Sequence, residues 1–163
     1  MRTPNEARIR GFQEPDLVPV ERLIRQTIDA CYSGVYPSRA VRFFKEFHSP
    51  EKIMERYQQG DILVVEQDGH VVATGAIVDG DIFGVFVHPG FQHRGYGGSL
   101  MCELEKRAIS RGLKESELSV SLPSKGFYES LGYDMIEECS IDVGEGQDLV
   151  FWKARKPLTG CES

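Results

Sequence analysis

A chain of 163 residues with 40% apolar content suits one globular domain able to bury about two thirds of its unfolded surface. No segment approaches the roughly 20 apolar residues of a membrane span, and the N-terminal "MRTPNEARIRGF" has no apolar h-region, so a soluble, cytoplasmic protein is expected. The formal charge of −6 is uneven: residues 1–60 carry 10 basic and 8 acidic side chains, residues 61–163 carry 9 and 17, and neither part holds the basic stripe that nucleic acid or a membrane surface would need.

The elements follow in chain order. "ARIRGF" reads as a short first strand. Leu17, Val20, Leu23, Ile24, Ile28 and Cys31 then share one helical face, with Asp16 as N-cap and Pro19 in the first turn. "CYSGVYPS" is a loop. Val41, Phe44 and Phe47 mark a second short helix, and a third starts at Ser49-Pro50 and ends at Gly60. From Asp61 the pattern changes. "ILVV", "VVATGAIV" and "IFGVFV" are strands joined by turns at Asp68-Gly69 and Asp79-Gly80, residue pairs that favour tight hairpins.

After a glycine-rich stretch, Leu100, Met101, Leu104 and Ala108 form one face of a longer helix, with Glu103 and Arg107 paired outside at i,i+4. "ELSVSL" is a strand. "SKGFYESLG" is a short helix with Phe127 and Leu131 on its buried side, and two last strands are "YDMIEECSI" and "DLVFWKA". No repeat or linker interrupts the chain, so 1–163 is expected to form a single domain with 157–163 as a flexible tail. Cys31, Cys102, Cys139 and Cys161 are scattered without zinc-ligand spacing, and buried free thiols are expected. The late acidic residues Asp134, Glu137, Glu138, Asp142, Glu145 and Asp148 form either a solvated face or a rim that attracts a cationic amine. His48 and His70 are expected at the surface.

The stretch "GFQHRGYGGSL", residues 90–100, holds four glycines between a strand and a helix. A helix N-terminus offers unpaired N–H groups and a partial positive charge, and a loop without Cβ atoms lets an anion approach them. Arg94 is placed to add a charge-assisted bond. The P-loop pattern fails, because Tyr96 and Gly97 stand where lysine and a hydroxyl residue are needed. The dinucleotide fingerprint fails too, because its third glycine is misplaced and the preceding strand belongs to an antiparallel meander.

"QHRGYG", Gln92 to Gly97, matches [Q/R]-x-x-G-x-[G/A], the phosphate-binding signature of the GNAT N-acetyltransferase superfamily. The chain resembles that superfamily over residues 8–156. "VFVHPGFQHRGYGGSLM" resembles one conserved block of the family and "FYESLGY" a second, with Tyr133 in place of phenylalanine. The resemblance implies an α/β (α+β) fold: a central mixed, mostly antiparallel sheet of about six or seven strands flanked by about four to five helices. It implies acetyl-CoA as cosubstrate, without a metal. Gln92 belongs to the signature itself. The pyrophosphate would take backbone N–H bonds from His93, Arg94, Gly95, Tyr96, Gly97 and Gly98. The pantetheine arm would run along Val85, Phe86 and Val87 as an added strand, needing a local opening of the sheet. Gly84 suits a bulge there, or packs against a neighbour.

The reaction implied is direct acetyl transfer to a primary amine, without a covalent enzyme intermediate. At neutral pH an alkylamine is almost wholly protonated, so attack needs a proton acceptor, and the leaving thiolate benefits from a donor. Tyr128 matches the tyrosine the family uses as acid, and otherwise reads as a core residue. Asp81 matches the position of the base glutamate in histone-type members, one methylene shorter, and otherwise reads as a turn residue. His88 and His93 are further titratable candidates, though not where the family places a base. The rival reading is a non-catalytic acyl-CoA-binding or sensing module. The acceptor would be a small-molecule amine or a peptide or protein amine, with Tyr32, Tyr36 and Phe43 lining its pocket or packing as core. A homodimer is compatible with the sequence.

Overall fold

The computed structural model describes residues 7–158. β1 (Ala7–Gly11) leads into three helices, α1 (Leu17–Cys31), α2 (Ser38–Phe47) and α3 (Pro50–Gln59). A meander follows: β2 (Asp61–Gln67), β3 (His70–Val78) and β4 (Asp81–Val87). Then come α4 (Tyr96–Ser110), β5 (Glu115–Ser121), the short α5 (Lys125–Ser130), β6 (Asp134–Gly144) and β7 (Gln147–Pro157). Among the described residues, five helices and seven strands give the α/β architecture expected from the sequence.

The sheet is divided. One part has the order β1-β2-β3-β4 and the other β5-β7-β6, and every ladder is antiparallel. β4 and β5 lie side by side without a hydrogen-bonded ladder among the described residues. This is the opening that an added strand requires.

β2 shows why the meander reads as a continuous apolar run. Leu63 and Val65 join the core under α4, while Ile62 and Val64 join the core under α1 to α3. Both faces are covered, so alternation in hydrophobicity is lost. The turns at Asp68-Gly69 and Asp79-Gly80 have positive φ at both residues, 52° and 81°, then 51° and 87°, the conformation of tight hairpin loops. Ser49 caps α3 as expected, its hydroxyl accepting from the Lys52 N–H.

Several local readings change. Asp16 precedes α1 but does not cap it; its carboxylate accepts from the Gln13 N–H at 2.8 Å and from Arg10 at 2.8 and 2.9 Å. The Arg10 hydrogen bonds hold the Asp16 carboxyl below the usual carboxylate range. Arg107 turns from Glu103 to Asp61, 3.3 Å away, and Glu103 pairs with Lys106. Cys31, Cys102 and Cys139 are partly exposed rather than buried, and Cys161 lies outside the described residues. β7 continues to Pro157, and the Leu158 N–H bonds Lys114 O at 2.9 Å, so residues 157 and 158 are tied to the fold; the rest of the expected tail, 159–163, lies outside the described residues. No helix among the described residues is long and apolar enough to cross a membrane.

Candidate active site

Everything in the site hangs on the gap between β4 and β5. Within β4, Thr74 faces Phe86 and Ala76 faces Phe83, so Gly84 and Val85 together oppose the single residue Gly75. This is a bulge, with Gly84 at φ +66°. Among the described residues the edge of β4 away from β3 carries no ladder beyond it, leaving its backbone groups for another extended chain. Two cavities of about 500 and 560 Å³ open on that edge. The first is walled by α2, β4, β5 and β7; the second is a slot between α1, the end of β4 and α5. Tyr32, Val85, Phe86 and Ser124 line both.

The loop after β4 is held from within. His88 Nδ1 accepts from the Gly90 N–H at 3.0 Å, and the Gln92 amide donates to Val87 O at 3.0 Å. His93 has φ +64° and Gly95 φ +88°, two left-handed residues one apart. Gly95 is the N-cap of α4 with open space where a Cβ would stand. No side chain caps the helix, and the first internal bond runs from the Ser99 N–H to Gly95 O. The N–H groups of Tyr96, Gly97 and Gly98 are therefore the free donors of the first turn.

A model of the acetyltransferase (GNAT) family matches residues 22–133. The chain belongs to the GNAT acetyltransferase family. Solved structures share the fold. A GCN5-related N-acetyltransferase from Rhodopseudomonas palustris superposes with a TM-score of 0.85 at 19% identity, covering 97% of this chain and 99% of its own. The PaiA N-acetyltransferase of Thermoplasma acidophilum, in complex with coenzyme A, gives 0.73 at 22% identity over 93% and 99%. The ribosomal-protein-S18-alanine N-acetyltransferase of Escherichia coli gives 0.68 at 17% identity over 97% of each chain.

Within this GNAT domain, Val85, Phe86, Val87, Gln92 and His93 line the slot together. Other loop residues have local roles. The Arg94 guanidinium lies 4.9 Å from the centre of the Phe91 ring, and the Tyr96 hydroxyl donates to Gln67 on β2. Gly98 stands opposite Leu131, which a Cβ would meet at 4.0 Å. Gly97 differs from its sequence reading. A Cβ there would come within 2.9 Å of the Phe127 ring, so this glycine makes room for α5.

Tyr128 and Asp81 line the same cavity. Asp81 is exposed at the first position of β4, opposite Val78. Tyr128 is the buried residue of α5, 7% exposed, whereas Phe127 and Leu131 are only partly buried, the reverse of the expected faces. Its ring packs edge-on to Phe127 and Tyr133. Burial pushes its phenol pKa well up, and no hydrogen bond to its hydroxyl opposes that shift.

Sequence reasoning missed three features of the walls. Tyr32 Oη lies 2.8 Å from Ser121 Oγ, which donates to Ser124 Oγ at 2.9 Å, a chain of hydroxyls at the junction of the two cavities. Tyr36 packs in the core behind the walls as a strut: its hydroxyl donates to Val150 O and accepts from the Leu122 N–H, both at 2.8 Å, tying the loop after α1 to the second sheet. His48 is not at the surface but 5% exposed, wedged edge-on against Phe47 and Phe86. Burial, aided by nearby Arg56, lowers its pKa to about 3. Tyr32 and Tyr36 were named as pocket or core residues without these partners; nothing local marked His48. His88 and His93 lie on the loop beyond the cavity that holds Tyr128 and Asp81.

Proposed function

We propose that this chain transfers the acetyl group of acetyl-CoA directly to a primary amine, with no covalent enzyme intermediate. One arrangement carries the reading: an unpaired β4 edge leads from the left-handed loop at the α4 N-terminus to a cavity where the Tyr128 hydroxyl is unpartnered. The residues fit the cosubstrate. Gly95 leaves open space beside the free N–H groups of Tyr96, Gly97 and Gly98, which suits a pyrophosphate. The β4 backbone at Val85, Phe86 and Val87 suits the amides of a pantetheine arm lying as an added strand. Gln92 fixes the turn between these two parts by holding Val87 O.

In the transfer, the amine nitrogen bonds to the thioester carbon, the C–S bond breaks, and sulfur leaves as a thiolate. Tyr128 gives that sulfur its proton; burial keeps the phenol protonated through neutral pH, so the donor is loaded when the thiolate forms. Asp81 takes the proton shed by the amine, through water, because a carboxylate at the cavity mouth also favours the ammonium form that arrives. The acceptor is an amine on a small molecule or at a peptide terminus or side chain.

Calorimetry with acetyl-CoA and a thiol-release assay over a panel of amines and peptides test this. Saturable binding and amine-dependent thiol release are expected. Absence of acetyl-CoA binding overturns the reading. Binding without release for every acceptor replaces it with a non-catalytic acyl-CoA-binding module.

A further inference from the structure

The two cavities divide the proposed reaction between them. The slot lined by Gln92 and His93 suits the cosubstrate, and Tyr32, Val85, Phe86 and Ser124, which line both cavities, mark where the acetyl group would cross. The first cavity, of about 500 Å³, is then left for the acceptor. Six of the chain's nine phenylalanines line it: Phe43, Phe44 and Phe47 from α2, Phe83 and Phe86 from β4, and Phe151 from β7. The ring centres of Phe43 and Phe47 lie 6.2 Å apart, and those of Phe47 and Phe83 6.4 Å apart, so the rings run on without a polar break. At the rim, Phe47 is 45% exposed and Ile141 of β6 is 38% exposed. Large apolar groups left facing water beside a cavity are what an apolar ligand would cover.

The buried part of this lining carries no formal charge. It consists of apolar side chains, the phenols of Tyr32 and Tyr128, and His48, which burial keeps neutral above about pH 3. The charged lining residues are Asp81, Glu117 and Lys153, and all three are exposed. Glu117 pairs with Arg155 at 3.2 Å, and water screens the other two. The buried cation Arg56 stands behind Gly84 and lines neither cavity, so it offers a ligand no partner. A second charge on the acceptor, of either sign, would be desolvated here and left unpaired. The reacting amine escapes that cost, since it attacks as the neutral base.

We propose that the acceptor is a monoamine on an apolar body, alkyl or aryl, with no charge other than its amine. The body lies among the phenylalanine rings and reaches Phe47 and Ile141 at the rim. This rests on the acetyltransferase reading above and narrows it. Amino acids and polyamines are poor acceptors, because each keeps a charge that the lining cannot pair.

The test measures thiol release from acetyl-CoA with hexylamine, ε-aminocaproate and hexamethylenediamine at one pH. All three present a primary amine on a chain of the same length, which ends in a methyl, a carboxylate or an ammonium group. The diamine has two reactive ends, which works against the expected order. For the parent protein, kcat/KM for hexylamine is expected to exceed that of both others by at least tenfold, and that of ethylamine by at least tenfold, because each added methylene is buried. Phe47→Ala, which thins the wall, should shrink the advantage over ethylamine at least threefold. Ile141→Glu, which sets a charge at the rim, should shrink the advantage over the diamine at least threefold. Neither residue lines the slot, so acetyl-CoA affinity by calorimetry should hold in both. A parent that prefers ε-aminocaproate, the diamine or ethylamine overturns the proposal, whether or not the variants fold. So do folded variants that keep both advantages in full, since the selection then arises outside this cavity. If a peptide N-terminus is acetylated and none of these amines is, this inference fails while the acetyltransferase reading stands. If acetyl-CoA binds and neither amine nor peptide is acetylated, both fall.

Discussion

Gly97 and Phe127 are fitted to each other: a Cβ at Gly97 would lie 2.9 Å from Cε1 and Cζ of the Phe127 ring. The ring lines the slot in which the cosubstrate is proposed to lie. Gly97→Val is therefore expected to destabilise the fold by overpacking, by about 1–3 kcal/mol, as read from urea unfolding. The double variant with Phe127→Ala should regain part of that loss, because the ring is what the new methyl groups meet. A Gly97→Val protein as stable as the parent but tenfold weaker for CoA would return Gly97 to the phosphate site.

The same pair shows where sequence reasoning reaches and where it stops. Helical periods and apolar runs placed the elements, because whole faces of α1 and α4 and both faces of β2 are buried and the Asp-Gly pairs force their turns. The glycine-rich loop was legible because Gly95 needs its left-handed φ for a local reason. The partner of Gly97 was not, since it comes from a helix some 30 residues on whose six residues are too few for a period to define a face. Burial of Arg56 and His48 was invisible for a similar reason: it arises only in the tertiary fold, where both side chains come up to Gly84 in the bulge of β4. The Tyr133 departure from the family's phenylalanine is explained by its hydroxyl, which reaches Glu105 at 2.8 Å and Ser116 at 2.9 Å, with Lys156 closing on Glu105 at 2.9 Å.

His48 should make the fold sensitive to mild acid. Its folded pKa is about 3, against a reference value near 6.5 for an exposed imidazole. As pH falls below about 6.5 the unfolded chain gains a proton that the folded chain refuses, so stability present at pH 7 is lost progressively down to the folded value. From this one group the slope approaches about 1.4 kcal/mol per pH unit. Urea midpoints between pH 7 and 5, where carboxylates stay mostly ionised, should fall in the parent and flatten in His48→Phe. Equal slopes in the two proteins would place the acid sensitivity elsewhere.

Tyr128→Phe keeps the ring that packs on Phe127 and Tyr133 and removes only the unpartnered hydroxyl. Turnover is expected to fall by about 10- to 1000-fold for a lost acid, with CoA affinity nearly kept. Stability should change little, because no protein hydrogen bond is broken. Since burial raises the phenol pKa, no basic limb of the parent pH–rate profile near neutrality belongs to Tyr128. An unchanged rate where chemistry limits would leave Tyr128 as a packing residue.

Asp81 gives the sharpest kinetic test of the base. It stands on the cavity wall at the start of the strand proposed to carry the pantetheine arm, and it is exposed enough to hold a water between itself and an amine. His48, on the same wall, is held neutral down to about pH 3 and so is too weak a base to draw a proton from an ammonium group. Asp81→Asn keeps the size and the turn but removes the charge. Acceptor binding and deprotonation should both suffer, so kcat/KM for the amine falls while acetyl-CoA affinity is unchanged. Part of the rate should return at high pH, where more of the amine is neutral without help. The measurement is a pH–rate profile for both proteins with one acceptor, together with acetyl-CoA calorimetry. The same rate and the same acidic limb in both would reduce Asp81 to the residue that follows a tight turn, and the proton would then pass to bulk water.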